Sequence, residues 1–179
     1  MKKIFKSVFS YLLICMLFCC PITNVYADEI NTRIVSAEAM TISANNTYYI
    51  RNYKSNLYLD VAAPSYKELI QHSFMGGNNQ RFVYQNNTLK SVHTGSYVTT
   101  GANYAADFPR AVVGSSLKIS LSVNTDGTYC ILKQDGNKQH MPNLSYCLVV
   151  QNASTSNLAK TIWYPYNNTY NEQWMFVKA

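Results

Sequence analysis

The chain has 179 residues, with 15 Lys and Arg against 9 Asp and Glu, and 15 of its residues are tyrosine. Beyond position 27 the basic residues stand singly from Arg33 to Lys178, with no polybasic stripe, so the charge pattern argues against nucleic-acid recognition. Sparse charge and abundant tyrosine suit β-strands with a polar, hydrogen-bonding surface, and no long stretch shows helical periodicity with helix-forming residues.

The first predicted element is a secretory signal. Lys2, Lys3 and Lys6 precede an apolar run from Val8 to Cys20, followed by Pro21 and the small-residue end Val25-Tyr26-Ala27. The run is short of the ~20 apolar residues that a transmembrane helix needs. Leu17-Phe18 are too bulky for a lipoprotein signal ending at Cys19 or Cys20. Residues 1–27 are therefore expected to be removed and the protein to be secreted and extracellular, with no integral membrane segment in the mature chain. Three lysines and no acids leave with the signal, so the mature charge is +3. The 152 residues that follow suffice for one domain with its own core. Residues 28–46 form a lead segment, of which 34–43 fit helix or strand equally. The domain proper is expected over 47–179.

From here the chain repeats itself. Ile50–Val61 aligns without gaps on Leu89–Thr100: Ile50 on Leu89, Ser55-Asn56 on Thr94-Gly95, Tyr58 on Tyr97, Leu59 on Val98. Each reads as a strand, a polar turn and a second strand. Downstream, Gly77–Phe82 falls on Gly114–Ile119. A third copy follows. Thr128–Ile131 resembles Thr47–Ile50, Tyr146–Val150 resembles Leu57–Val61, and Asn171–Trp174 resembles Asn79–Phe82, the extra length lying in the polar stretches 133–145 and 151–161. A hairpin plus two further strands cannot bury its apolar face alone, so three copies should share one core. Closing them on themselves removes exposed sheet edges. The expectation is an all-β protein with three pseudo-equivalent repeats, in which 48–61, 89–100 and 129–150 are equivalent hairpins. Leu59, Val98 and Leu148 should be buried at matching positions, as should Phe82, Ile119 and Trp174. The mature chain keeps two cysteines, Cys130 and Cys147, which in an oxidising compartment are expected to pair. Strand alternation, with Tyr129, Ile131 and Leu148 inward, places both cysteines outward on adjacent strands.

Three sets of residues carry a family resemblance: Leu59-Asp60-Val61, then Ile70-Gln71, then Asn79-Gln80-Arg81-Phe82. Their pattern resembles that of the ricin-B-type β-trefoil lectins. Ile162–Pro165 and Asn171–Trp174 resemble the last repeat of that family, and the likeness spans about 47–179. The Gln-x-Trp signature is degenerate: Gln-x-Phe in the first copy, Leu-x-Ile in the second, Glu-x-Trp in the third. The resemblance implies a β-trefoil fold and glycan binding, with galactose-type sugars the first to consider.

It also implies the site residues. A carboxylate accepts hydrogen bonds from two hydroxyls, an amide adds a donor and an acceptor, and a ring covers the C–H face of a sugar. In the first copy these are Asp60 and Asn79, with Gln71 and Gln80 as neighbours. The ring position falls on Ser73, flanked by His72 and Phe74, and Phe74 is favoured. The third copy keeps Tyr164 and Asn171 but has Val149 in place of the acid, so a weaker site is expected, with Gln151 or Asn152 as substitutes. The second copy, with Thr99, Ser116 and Leu117 at the three positions, reads as structural.

No enzyme is expected. His72, His93 and His140 lack metal-ligand spacing, no Gly-x-Ser-x-Gly elbow occurs, and Glu38, Asp60, Glu68 and Glu172 form no recognisable glycosidase pair. Neither metal nor cofactor is called for. The leading reading is a secreted lectin, free or as the cell-binding subunit of a toxin. The alternatives are a trefoil that has lost sugar binding and acts as an interaction or inhibitor module, and a small hydrolase.

Overall fold

Residues 41–63, 65, 67–104, 108–135 and 145–179 are described by a computed structural model. The expected signal and most of the lead segment lie outside the described residues. Within them, short alternating runs become twelve strands in three sets of four. The first set is β1 (Thr47–Asn52), β2 (Tyr58–Val61), β3 (Leu69–His72) and β4 (Arg81–Gln85). The second is β5 (Thr88–Ser91), β6 (Tyr97–Tyr104), β7 (Phe108–Gly114) and β8 (Ile119–Val123). The third is β9 (Tyr129–Lys133), β10 (Tyr146–Val150), β11 (Thr161–Pro165) and β12 (Trp174–Lys178).

The fourth strand of each set packs back on its first. Tyr48 faces Phe82 across β1–β4, and Tyr129 faces Trp174 across β9–β12. Between β5 and β8 the equivalent link is the Ile119 amide donating to the Asn87 carbonyl at 2.8 Å. β4–β5, β8–β9 and β12–β1 pair between sets and close the ring. The hairpins β2–β3, β6–β7 and β10–β11 cover one end. This is a β-trefoil, with the repeat boundaries that the self-alignment implied.

Threefold equivalence extends to the core. Ile50, Leu89 and Ile131 are fully buried, as are Leu59, Val98 and Leu148, and Phe82, Ile119 and Trp174. All nine belong to one apolar cluster. Burying each such side chain contributes roughly 1.5–3 kcal/mol. Trp174 also donates its indole N–H to the Leu148 carbonyl at 2.8 Å, so the largest core ring leaves no polar atom unpaired. Where the three cap hairpins meet, the Glu68 carboxylate accepts from Arg110 and from Lys160 Nζ at 3.2 Å, joining all three sets.

One expectation is corrected here. Cys130 and Cys147 are free thiols, and both are buried. The direct cross-strand partners are Arg51 and Tyr58 in the first hairpin, Lys90 and Tyr97 in the second, Leu132 and Cys147 in the third. Cys130 is therefore diagonal to Cys147, and diagonal neighbours lie about 7–8 Å apart where a disulfide needs Cα atoms within about 4.4–6.8 Å. Alternation also misjudged their surroundings. The outward face of this hairpin is covered: Cys147 packs with Val149 and Ile162 beneath Phe108, Tyr164 and Tyr166, and Asn124 donates to Cys130 Sγ at 3.6 Å. Burial pushes both thiols up from their ordinary range, so neither is a thiolate at neutral pH, and only thiolates exchange into disulfides.

Candidate functional site

The first-copy cleft is built from two ends. Asp60 lies on β2 opposite Ile70 of β3. Asn79 sits in a 3-10 turn, Asn78–Gln80, that leads into β4. Its Nδ2 donates to Asp60 Oδ2 at 2.8 Å. That bond fixes the rotamers of both side chains and ties β2 to the turn before β4; Asp60 is only 4% exposed, and Asn79 Oδ1 lies against Gly77. The turn can bring Asn79 this close because residue 77 is glycine: a Cβ there would stand 2.5 Å from Asn79 Oδ1. Asp60, Asn79, His72, Met75 and Leu158, with Ile70 beneath, bound a cleft of about 250 Å³.

The structure separates the residues that the sequence grouped together. Gln80 is wholly buried. Its Oε1 accepts from the amides of Met75 (2.7 Å) and Gly76 (3.2 Å), and its Nε2 donates to the Ser73 carbonyl (2.8 Å). It holds the 73–76 turn and presents nothing to a ligand. Gln71 faces inward too. It pairs with the core residue Leu59, so alternation puts its side chain on the buried face of the sheet. There Oε1 accepts from Ser55 Oγ (2.7 Å) and Nε2 donates to the carbonyls of Ser154 (2.9 Å) and Ser156 (2.8 Å). Phe74 is 55% exposed but does not bound the cleft. Its ring packs 4.9 Å from those of both Tyr49 and Tyr58.

His72 takes the ring position instead. Tyr58 pairs with His72 in the first copy, and at the equivalent register Cys147 pairs with Tyr164 in the third. The period of two from Ile70 to His72 carried this signal in the sequence. Met75 and Leu158 were not foreseen at all. Leu158 comes from the third copy, and nothing local to either segment announces that they meet.

The third-copy cleft is larger, about 470 Å³. Its floor is the Val149–Ile162 pair, which replaces Asp60–Ile70. Tyr164 forms the platform, its ring 4.4 Å from that of Phe108, which the second copy contributes from β7. Asn167, Thr169, Asn171 and Gln151 supply the polar wall. The Asn167 side-chain amide donates to Thr169 Oγ1 at 2.9 Å, and Thr169 Oγ1 donates to Asn171 Oδ1 at 2.7 Å. Glu172 stands at the position of Gln80 and does the same work. Its buried carboxylate accepts from the amides of Asn167 and Thr169, closing a capping box on the last turn. Glu172 also lines the cleft, but it is 1% exposed and its oxygens are engaged by these amides. Phe108, Asn167 and Thr169 are additions to Tyr164 and Asn171, and the long insertion 151–161 concealed how they come together.

In the second copy Thr99 accepts through its carbonyl from Trp163 Nε1 (3.1 Å), and Leu117 is core. Ser116 lines a separate cleft of about 210 Å³ with Lys90, Tyr97 and Lys118, and Thr99 is not among the residues that bound it. Among the described residues no group of three or more His, Cys, Asp or Glu could hold a metal, and no helix is long and apolar enough to cross a membrane.

Comparison with known proteins finds likeness in structure alone. No protein-family model matches the chain, and no curated protein matches it by sequence. Among solved structures, a ricin B-like lectin of Macrolepiota procera, determined in complex with lactose, superposes with a TM-score of 0.66 at 19% identity, over 78% of this chain and 100% of that one. The Rhizoctonia solani agglutinin gives 0.63 at 22% identity over 78% and 99%. A designed threefold-symmetric protein, ThreeFoil, gives 0.59 at 25% over 74% and 99%. The fold is thus that of the ricin B-type trefoils.

Proposed function

We propose that this protein is a secreted carbohydrate-binding protein, acting free or as the cell-binding subunit of a toxin, and not an enzyme. The observation that carries the reading is the Asp60–Asn79 pair, held by a 2.8 Å hydrogen bond at the floor of a cleft. A carboxylate that already accepts from an amide keeps lone pairs for a second donor, so a carboxylate–amide pair at a cleft suits the hydroxyls of a sugar. The lactose complex of the Macrolepiota lectin supports galactose-type sugars as the first candidates. The third-copy cleft, with its aromatic platform and amide wall but with its one carboxylate, Glu172, engaged by backbone amides, is the weaker second site.

A single shallow site of this kind binds with a dissociation constant on the order of 1 mM, about −4 kcal/mol. Useful avidity then comes from clustered glycans. NMR titration of galactose into the wild-type protein and Asp60→Asn tests the reading. The substitution keeps shape and removes a charged acceptor, so binding should weaken by about 1.5–3 kcal/mol. Unchanged binding in Asp60→Asn, with collapse in Tyr164→Ala, would transfer the main site to the third copy. Export is tested by intact mass: the secreted protein should begin near Asp28, and finding residues 1–20 in it would refute the signal.

A further inference from the structure

Five of the eight residues that bound the Asp60 cleft are aliphatic or thioether side chains. Two of them are unusual. Met75 and Leu158 are large, apolar, and 68% and 62% exposed at the rim. Leu158 is also held at a φ of 67°, a left-handed conformation that strains a bulky side chain and that tends to persist where the surroundings impose it. Here the surroundings are β3 of the first copy. The Leu158 amide donates to the Gln71 carbonyl and the Gln71 amide to the Ala159 carbonyl, each at 2.8 Å. The Gln71 side chain holds the carbonyls of Ser154 and Ser156, and the Ser73 amide donates to Asn157 Oδ1 at 2.8 Å. A loop of the third copy is thereby fastened across the first, and its strained residue delivers an apolar side chain to a cleft that is not its own.

An unmodified hexose has little use for this wall. The large flat ring that would cover its C–H face is replaced by His72, while Met75 and Leu158 stand beside the polar pair and can enclose a small apolar group. We propose that the Asp60 cleft selects a 6-deoxy sugar by its methyl group, with Leu158 and Met75 as the specificity-determining residues. The proposal rests on the sugar-binding reading of the same cleft. Asp60 and Asn79 take adjacent hydroxyls, and the methyl lies against the thioether and isobutyl groups. Burying one such group corresponds to about a fourfold gain in affinity.

The test is NMR titration of D-galactose, 6-deoxy-D-galactose and N-acetyl-D-galactosamine into the full secreted chain and into Leu158→Gly, Met75→Ala and Asp60→Asn. Glycine adopts the positive φ without strain, so Leu158→Gly removes the side chain and keeps the loop. Thermal denaturation verifies that each variant is folded. Wild type should bind 6-deoxy-D-galactose at least about fourfold more tightly than galactose. Leu158→Gly and Met75→Ala should each bring that ratio toward one, and Val123→Ala, an exposed apolar residue outside the cleft, should leave it unchanged. Asp60→Asn should weaken all three sugars together. Equal affinities in wild type, or a preference that survives both rim substitutions, would overturn the proposal while leaving sugar binding intact. A folded wild type that binds none of the three would overturn both.

Discussion

Gln71 offers the clearest separation of a ligand contact from a structural tie. Gln71→Met preserves volume and buried apolar surface and removes three side-chain hydrogen bonds, to Ser55 Oγ, Ser154 O and Ser156 O. The two backbone bonds to 158–159 remain. Each lost bond is worth about 1 kcal/mol net, and the two released carbonyls belong to a partly exposed loop that water can reach, so no full desolvation penalty is added. The expected loss is about 2–3 kcal/mol. At about 3–5 °C per kcal/mol for a domain of this size, the melting temperature should fall by roughly 6–15 °C. Circular dichroism reads this directly, and hydrogen exchange should show the amides of Ser73 and Leu158 losing protection. Any loss of sugar affinity should be secondary, following the displacement of Leu158. An unchanged melting temperature with sugar binding reduced more than tenfold would refute the reasoning and make Gln71 a direct ligand contact.

Trp174→Ala should cost about 3–5 kcal/mol in chemical denaturation, since a fully buried ring and its bond to Leu148 are both lost. Glu172→Gln should be tolerated, because Gln80 holds the equivalent turn in the first copy. Glu172→Ala should cost about 2–3 kcal/mol and loosen 167–172, which ligand titration would register as loss of the third-copy cleft alone. Cys130 and Cys147 should resist a thiol reagent in the native protein and react fully in denaturant. Burial raises both thiols in the folded state, so the unfolded chain gives up these protons first as pH rises. Their contribution to stability is therefore complete below about pH 8.5, the unfolded thiol value, and declines above it. Denaturation at pH 7.5 to 10 should show this decline in wild type and a shallower one in Cys147→Ala.

The repeats themselves were legible in the chain. A hairpin imposes a period of two and a turn at a set spacing, so Ile50, Leu89 and Ile131 announce equivalent core positions through local pattern alone. Asp60 and Asn79 are singled out by the family resemblance, and they meet in the structure because both lie on the path of one repeat. Sequence and structure part where that path meets another. The shared motif sets Gln71 among the ligand contacts, yet its pairing with Leu59 turns it inward onto a loop more than eighty residues away. Alternation along each strand sets the two cysteines side by side, whereas the stagger between β9 and β10 and the cover from Phe108, Tyr164 and Tyr166 are products of packing. Met75 joins Leu158, and Tyr164 joins Phe108, only when the three copies close on their axis. Local periodicity sets which face of each strand is apolar. Which side chains from different repeats share a cleft depends on closure of the whole ring, a long-range property that no window of sequence contains.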